Sequence, residues 1–327
     1  MPPHPEPQFD YAYDVEKELG RLDAHFKTRG VPRKSDGLTL VASWNVANLG
    51  DPGQARSDAD HRVIAHILRR FDVVAVQEVK DDLAAFRAVL KRMGGGYRAV
   101  FTDPAGNQER MAFVYDRKRI RTRELFGELA LVDAKRKTFN VEYKNEVLRF
   151  KGFNRNPFMV AFGPRRGRRK TFDFTLVNVH LYYGAKSGRK LRDRLLEVMA
   201  LSQWAQGRSD AETAYDPNII LLGDMNLPSL RPKSPFLKIL KERGLRLTDY
   251  SSNVDRNGTN LGGDRPYDQI AFVPKKTEGD YAGKTGVFDF DAVLFPDLFR
   301  TRGVEDFRAY MKYHISDHRL LWAAFRA

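Results

Sequence analysis

The stretch Ile219-Ile220-Leu221-Leu222-Gly223-Asp224-Met225-Asn226 carries the fold and the chemistry together. Four apolar residues, two of them β-branched, form a buried strand. The run stops at Gly223 and releases Asp224 and Asn226 into a loop. A carboxylate and an amide at the mouth of a core strand stand where binding and catalysis are usually done. An ordinary turn would explain them if the stretch stood alone. It does not stand alone.

The same pattern recurs along the chain. Residues 38–45 form an apolar strand ending on Asn45. Residues 71–78 form one ending on Glu78, and residues 172–180 one ending on His180. Tyr267-Asp268 opens a strand over 267–273, and Asp317-His318 immediately precedes the last strand, over 319–325. Further strands are predicted over 97–101, 111–115 and 159–162, with a hairpin within 139–150 that turns near Lys144-Asn145. Apolar residues at three- and four-residue steps predict helices over 10–28, 60–70, 81–92, 190–206 and 235–243. Residues 280–313 give no clear pattern.

At 327 residues the chain is long enough for a sizeable core. It has no cysteine, which excludes disulfides, thiolate metal sites and a cysteine nucleophile. No apolar run is long enough to span a bilayer, and Met1-Pro2-Pro3-His4-Pro5 has no signal-peptide core, so a cytoplasmic location is the default expectation. Lys and Arg outnumber Asp and Glu by 56 to 42, a net charge of +14 that favours polyanionic partners. Gly94-Gly95-Gly96 lacks the strand and helix context of a dinucleotide or P-loop site.

Gathered at one sheet end, Asn45, Glu78, His180, Asp224, Asn226, Asp268, Asp317 and His318 suit metal-assisted hydrolysis of a phosphate ester. Glu78 and Asn45 offer hard oxygen ligands for Mg²⁺, Mn²⁺ or Ca²⁺. Asp224 with Asn226 suits activation of water, and an imidazolium held by a carboxylate suits the developing charge or the leaving oxygen. An acyl-transfer site competes poorly, because no G-x-S-x-G elbow is present.

The ordered set Trp44-Asn45, Gln77-Glu78, Asn178-Val179-His180, Gly223-Asp224-Met225-Asn226, Tyr267-Asp268 and Ser316-Asp317-His318 resembles the endonuclease/exonuclease/phosphatase superfamily, the DNase I-like proteins. The resemblance implies a four-layer α/β sandwich of two mostly antiparallel sheets flanked by helices, spanning 38–327 behind an N-terminal extension over 1–37 with one helix and a linker. It implies that Glu78, Asn45 and Asp317 lie at the metal. His180, Asp224, Asn226, Asp268 and His318 would be catalytic, joined by Arg155 of Arg155-Asn156-Pro157. Arg110, Tyr115 and Tyr182 are the expected substrate contacts. The basic runs 165–170 and 186–194 are expected to line a polyanion groove. The leading expectation is a monomeric, Mg²⁺-dependent endonuclease on DNA, with RNA as a second substrate. The alternatives are a phosphatase or phospholipase C-like diesterase on inositol phosphates or sphingomyelin, and a non-catalytic nucleic-acid-binding module.

Overall fold

A computed structural model describes residues 3–165, 172–184, 187–249 and 258–327. In chain order the elements begin with α1 (Val15–Thr28), β1 (Leu38–Leu49), α2 (Asp58–Arg69), β2 (Val73–Lys80), α3 (Ala84–Met93), β3 (Tyr97–Phe101), β4 (Glu109–Asp116) and β5 (Ile120–Glu128). Next come α4 (Asp133–Arg136), β6 (Asn140–Tyr143), β7 (Glu146–Arg149), β8 (Phe158–Pro164), β9 (Phe174–His180), α5 (Gly188–Asp210) and β10 (Ile219–Asp224). The chain closes with α6 (Pro235–Glu242), β11 (Arg246–Leu247), β12 (Asp268–Phe272), α7 (Pro274–Thr277), β13 (Tyr281–Phe288), α8 (Pro296–His314) and β14 (Leu320–Arg326).

Two six-stranded sheets result, ordered β13-β14-β1-β2-β4-β3 and β11-β12-β10-β9-β8-β5, with β6 and β7 as a separate hairpin. Each sheet has one parallel pair at its centre, β1 with β2 and β9 with β10, and is antiparallel elsewhere. The central strands are apolar on both faces because both faces are covered. Ile220 and Leu222 enter the core between the sheets, whereas Ile219 and Leu221 pack under α5 and α6. Val41, Val73 and Ala75 face the same inter-sheet core. Leu40, Ala42, Trp44, Val74 and Val76 face the layer of α1, α2, α3 and α8. Three apolar layers therefore separate the four structural layers expected from the sequence.

The N-terminal helix packs onto this body. Phe26 stacks on Phe288 at a ring distance of 4.0 Å, and Asp289 holds both His25, at 2.8 Å, and Arg29. Two edge strands were not legible. β5, of sequence Ile-Arg-Thr-Arg-Glu-Leu-Phe-Gly-Glu, and β13 each pair on one side only, so their outward residues carry charge and glycine instead of a clean alternation. In α8, which the sequence left unassigned, Gly303 (φ +81) breaks the helical backbone and blurs the periodicity.

Candidate active site

Register alone aligns half of the site. β9 and β10 run parallel with His180 opposite Asp224, and β12 runs antiparallel with Asp268 opposite Asp224. One sheet thus presents His180, Asp224 and Asp268 side by side at its edge. The other sheet contributes Asn45, whose partner in β2 is Gln77, one residue before Glu78. Gly223 makes the close approach possible: its φ is +140, and a Cβ there would lie 2.0 Å from the Val179 carbonyl oxygen.

The backbone at this edge is strained. Glu78 (φ +61), Asn48 (φ +54), Ala47 (φ +39) and Asn226 (φ +51) all occupy the left-handed region without being glycine. Each costs on the order of 1–3 kcal/mol and persists only where the surroundings over-determine it. Here they do. Asn48 N–H donates to Glu78 Oε2 at 3.0 Å, Asn226 N–H to Asp224 Oδ1 at 2.9 Å, and Asn226 Nδ2 to the Leu181 carbonyl at 2.8 Å. Behind them Gln77 Nε2 donates to Asn178 Oδ1 at 2.7 Å, and Asn178 Nδ2 to the Ala112 carbonyl at 2.9 Å, joining the two sheets.

Two imidazoles converge on Asp224. His318 places Nδ1 2.8 Å from Asp268 Oδ2 and Nε2 3.8 Å from Asp224 Oδ2. His180 places Nδ1 3.2 Å from Glu109 Oε2 and Nε2 3.6 Å from Asp224 Oδ2 and 3.8 Å from Glu78 Oε1. Both rings therefore keep one nitrogen on a carboxylate and turn the other toward the centre. Burial pushes the Asp224 carboxyl above its usual range, with the Asp268 charge adding to the effect. Burial alone would lower His318, but Asp268, Asp224 and Asp317 outweigh it and hold that imidazole well above its ordinary pKa.

Glu109 is the functional residue that sequence reading missed. Besides His180, it takes Arg155 at 3.0 Å and Lys80 at 3.5 Å. Burial opposes its charge, yet His180 and Arg155 hold the carboxyl well below its usual range. Arg155 also donates to the Gly106 carbonyl at 3.1 Å, so the Arg-Asn-Pro arginine is fixed behind His180.

The donor set fits a hard divalent ion. Asn45 Nδ2 donates to Glu78 Oε1 at 2.9 Å and to Asp224 Oδ2 at 3.2 Å, drawing together two carboxylate oxygens of the kind such a cation prefers, while Asn45 Oδ1 accepts from the Ala47 N–H. Glu78, Glu109 and His180, and separately Asp224, Asp268 and His318, bring ligand atoms within 4.8 Å of one another.

Three expected residues stand apart from this cluster. Arg110 neighbours Glu109 on β4, so strand alternation turns it away; it pairs with Asp81 at 2.6 Å and Asp103 at 3.2 Å. Tyr115 pairs with Val73, at the opposite end of β2 from Glu78, and packs on Phe162 at a ring distance of 5.7 Å. Asp317 lies in neither metal-capable group; it faces His4 at 3.4 Å. Tyr182 is half-buried two residues beyond His180, with its N–H bonded to Glu197 Oε2 at 2.6 Å. Of the two basic runs, residues 166–170 and Lys186 lie outside the described residues.

The chain is 26% identical over 298 residues to a protein named deoxyribonuclease from Thioalkalivibrio sp. (strain K90mix), covering 87% of this chain and 70% of that one. The fold is similar to the human Nocturnin catalytic domain (17% identity, TM-score 0.51, covering 89% of this chain and 95% of that one). It is also similar to D. rerio TDP2 complexed with single strand DNA product (14%, TM-score 0.52, covering 89% and 100%). The model of the endonuclease/exonuclease/phosphatase family matches residues 42–318, the span that holds Asn45, Glu78, Glu109, His180, Asp224, Asp268 and His318, and the chain belongs to that family of phosphodiester hydrolases.

Proposed function

We propose that this protein is a divalent-metal-dependent nuclease that cuts DNA internally. The observation that carries the reading is the pair of carboxylate-held imidazoles, His180 on Glu109 and His318 on Asp268, facing each other across Asp224. Hydrolysis of a phosphodiester needs a group that takes a proton from water, a group that gives one to the leaving oxygen, and charge that stabilises the phosphorane between them.

Asp224, lifted by burial, is suited to take the water proton, and its Oδ1 is held in place by Asn226. His318, kept protonated by three carboxylates, is suited to give one to the departing oxygen. His180 turns Nε2 toward the centre to meet the phosphoryl oxygens, with the Arg155 charge behind it. Glu78 and Asp224, drawn together by the Asn45 amide, would hold the metal, which when bound neutralises and polarises the phosphate. Water adds to phosphorus as the P–O bond to the leaving group breaks, leaving a phosphomonoester and a hydroxyl.

The net charge of +14 favours a polyanion. The likeness to a protein named deoxyribonuclease and to a structure that holds a DNA product supports DNA over a small phosphate ester. Among the described residues no helix is long and apolar enough to cross a membrane.

The test is nicking of supercoiled plasmid with Mg²⁺ or Mn²⁺ against EDTA, with wild type and His318→Ala side by side. Metal-dependent open circles from wild type alone are expected. Intact supercoils from folded wild type would overturn the reading.

A further inference from the structure

The bend that ends β1 frees backbone groups from the sheet. β1 and β2 stay in register as far as Asn45 and Gln77 and resume at Leu49 and Val79, so Val46, Ala47 and Asn48 bulge out of the ladder. Ala47 and Asn48 are left-handed, and the bend aims the Asn48 N–H at Glu78 Oε2. A second set of freed carbonyls comes from the end of α8, because the last turn of a helix has no partner for them within the helix. Val46, Ala47, Tyr313 and Ile315 are buried, where a carbonyl without a donor is costly.

Two side chains of the connection between β1 and α2 serve both sets. Gln54, 1% exposed, sets Nε2 3.2 Å from the carbonyl oxygen of Ala47, 3.1 Å from that of Lys312 and 2.9 Å from that of Tyr313. Its Oε1 accepts from Asn48 Nδ2 at 3.3 Å and from the His4 N–H at 3.0 Å. Arg56 sets Nη2 3.0 Å from the carbonyl oxygen of Val46, 2.7 Å from that of Ala47 and 3.2 Å from that of Ile315, and its Nε donates to the His314 carbonyl at 3.1 Å. Among the described residues no carboxylate pairs with this guanidinium; backbone oxygens hold it. Burial lowers its pKa to about 10, so it stays charged at neutral pH, and Asp60, Glu78 and Asp317 favour that charge. A cation at a helix C-terminus also complements the helix dipole.

The segments joined in this way carry different parts of the chemistry. The β1 bend holds Asn48 against Glu78, and His318 comes four residues after α8. They also touch directly: Ser316 Oγ donates to the Asn45 carbonyl at 2.6 Å, and Trp44 Nε1 to the His318 carbonyl at 2.8 Å. Gln54 and Arg56 then fasten the chain just after Asn45 to the chain just before Ser316. Neither side chain hydrogen-bonds Glu78, Asp224 or His318. We propose that Gln54 and Arg56 are positioning residues for hydrolysis, a brace that holds the metal-binding side around Glu78 and the proton-donating side around His318 in fixed relation. The inference rests on the metal-dependent reading above.

Two readouts on the full-length protein, taken well below each variant's thermal unfolding midpoint, separate positioning from mere support. One is the Mn²⁺ dissociation constant, from loss of the free-ion electron paramagnetic resonance signal. The other is single-turnover cleavage of a labelled duplex at saturating Mn²⁺. Gln54→Leu and Arg56→Met should each weaken Mn²⁺ binding and slow cleavage by about 10- to 100-fold. With His318→Ala already present, adding Arg56→Met should change the saturated rate by no more than about 2-fold, because the donor that the brace places is gone. Arg56→Lys keeps the charge but fewer of the four carbonyl contacts. It should show the same losses at smaller size, and it replaces Arg56→Met if that variant does not fold. Folded variants with wild-type Mn²⁺ affinity and rate would overturn the brace and leave the metal reading standing. An undiminished loss in the His318→Ala background would overturn the link to His318. No Mn²⁺ uptake by wild type, or no cleavage by it, would overturn the proposed function and the brace with it.

Discussion

The two carboxylate–imidazole pairs look alike and are built differently. Both cross between the sheets: Glu109 of β4 meets His180 of β9, and Asp268 of β12 meets His318 just ahead of β14. Asp268 has His318 as its imidazole partner, at 2.8 Å, and its backbone N–H donates to Thr259 Oγ1. Glu109 serves three partners at once, the His180 imidazole and the cations Arg155 and Lys80. One pair is organised around a proton, the other around a buried cluster of charge. Similar geometry therefore does not imply similar consequences when a member is removed.

The largest expected effect is on catalysis. His318 is the imidazole that three carboxylates keep protonated, so His318→Ala should lower single-turnover cleavage of a labelled duplex by about 10⁴-fold, the upper end for a general acid. His180→Ala should cost less, about 10²- to 10³-fold, because Arg155 remains to carry positive charge behind it. Equal losses, or the reverse order, would break the assignment of the proton to His318.

Stability should separate the pairs in the other direction. Glu109→Gln leaves Arg155, Lys80 and His180 facing a neutral amide in a site where Glu109 is 3% exposed. Removing one member of a buried charge cluster typically costs about 3–5 kcal/mol. Asp268→Asn removes one of three carboxylates around a protonated His318 and should cost about 1.5–3 kcal/mol, the range of a hydrogen bond to a charged group. Urea unfolding of the two variants measures the difference. If Asp268→Asn proves the more destabilising, Glu109 is not the hub that its three partners suggest.

The asymmetry also explains what could be read from the sequence. Asp268, His318, Asp224 and His180 were legible because each follows or begins an apolar run, and Gly223 and the Ser316-Asp317-His318 turn punctuate those runs. Glu109 was hidden by a boundary. The strand 111–115 is predicted from its apolar residues, while β4 starts two residues earlier on a polar pair, Glu109-Arg110. Period-2 alternation then points Glu109 inward and Arg110 outward. A similar limit applies to Asp317. Its neighbours in sequence place it at the site, but its partner His4 is more than 300 residues away, and no local pattern announces that contact.

Glu197 sharpens the comparison at a smaller scale. It belongs only to the Glu109 side: its carboxylate accepts the N–H of Tyr182, two residues after His180, and of Asn154, one before Arg155, both at 2.6 Å. Burial pushes its pKa up to about 7. The unfolded chain releases this proton near pH 4.3, so between there and about pH 7 the folded state holds more protons and stability falls as pH rises. The full loss is about 4 kcal/mol and is complete above pH 7. Glu197→Gln cannot titrate, so the stability gap between variant and wild type should shift toward the variant by up to that amount as pH is raised from 4.5 to 7.5, read by urea unfolding. A gap that stays constant with pH would mean that Glu197 ionises normally, and that the loops behind His180 and Arg155 are held by a carboxylate charged throughout. The Glu109 side would then carry one more buried charge than it does with Glu197 protonated, and the contrast between the two pairs would be wider than burial alone makes it.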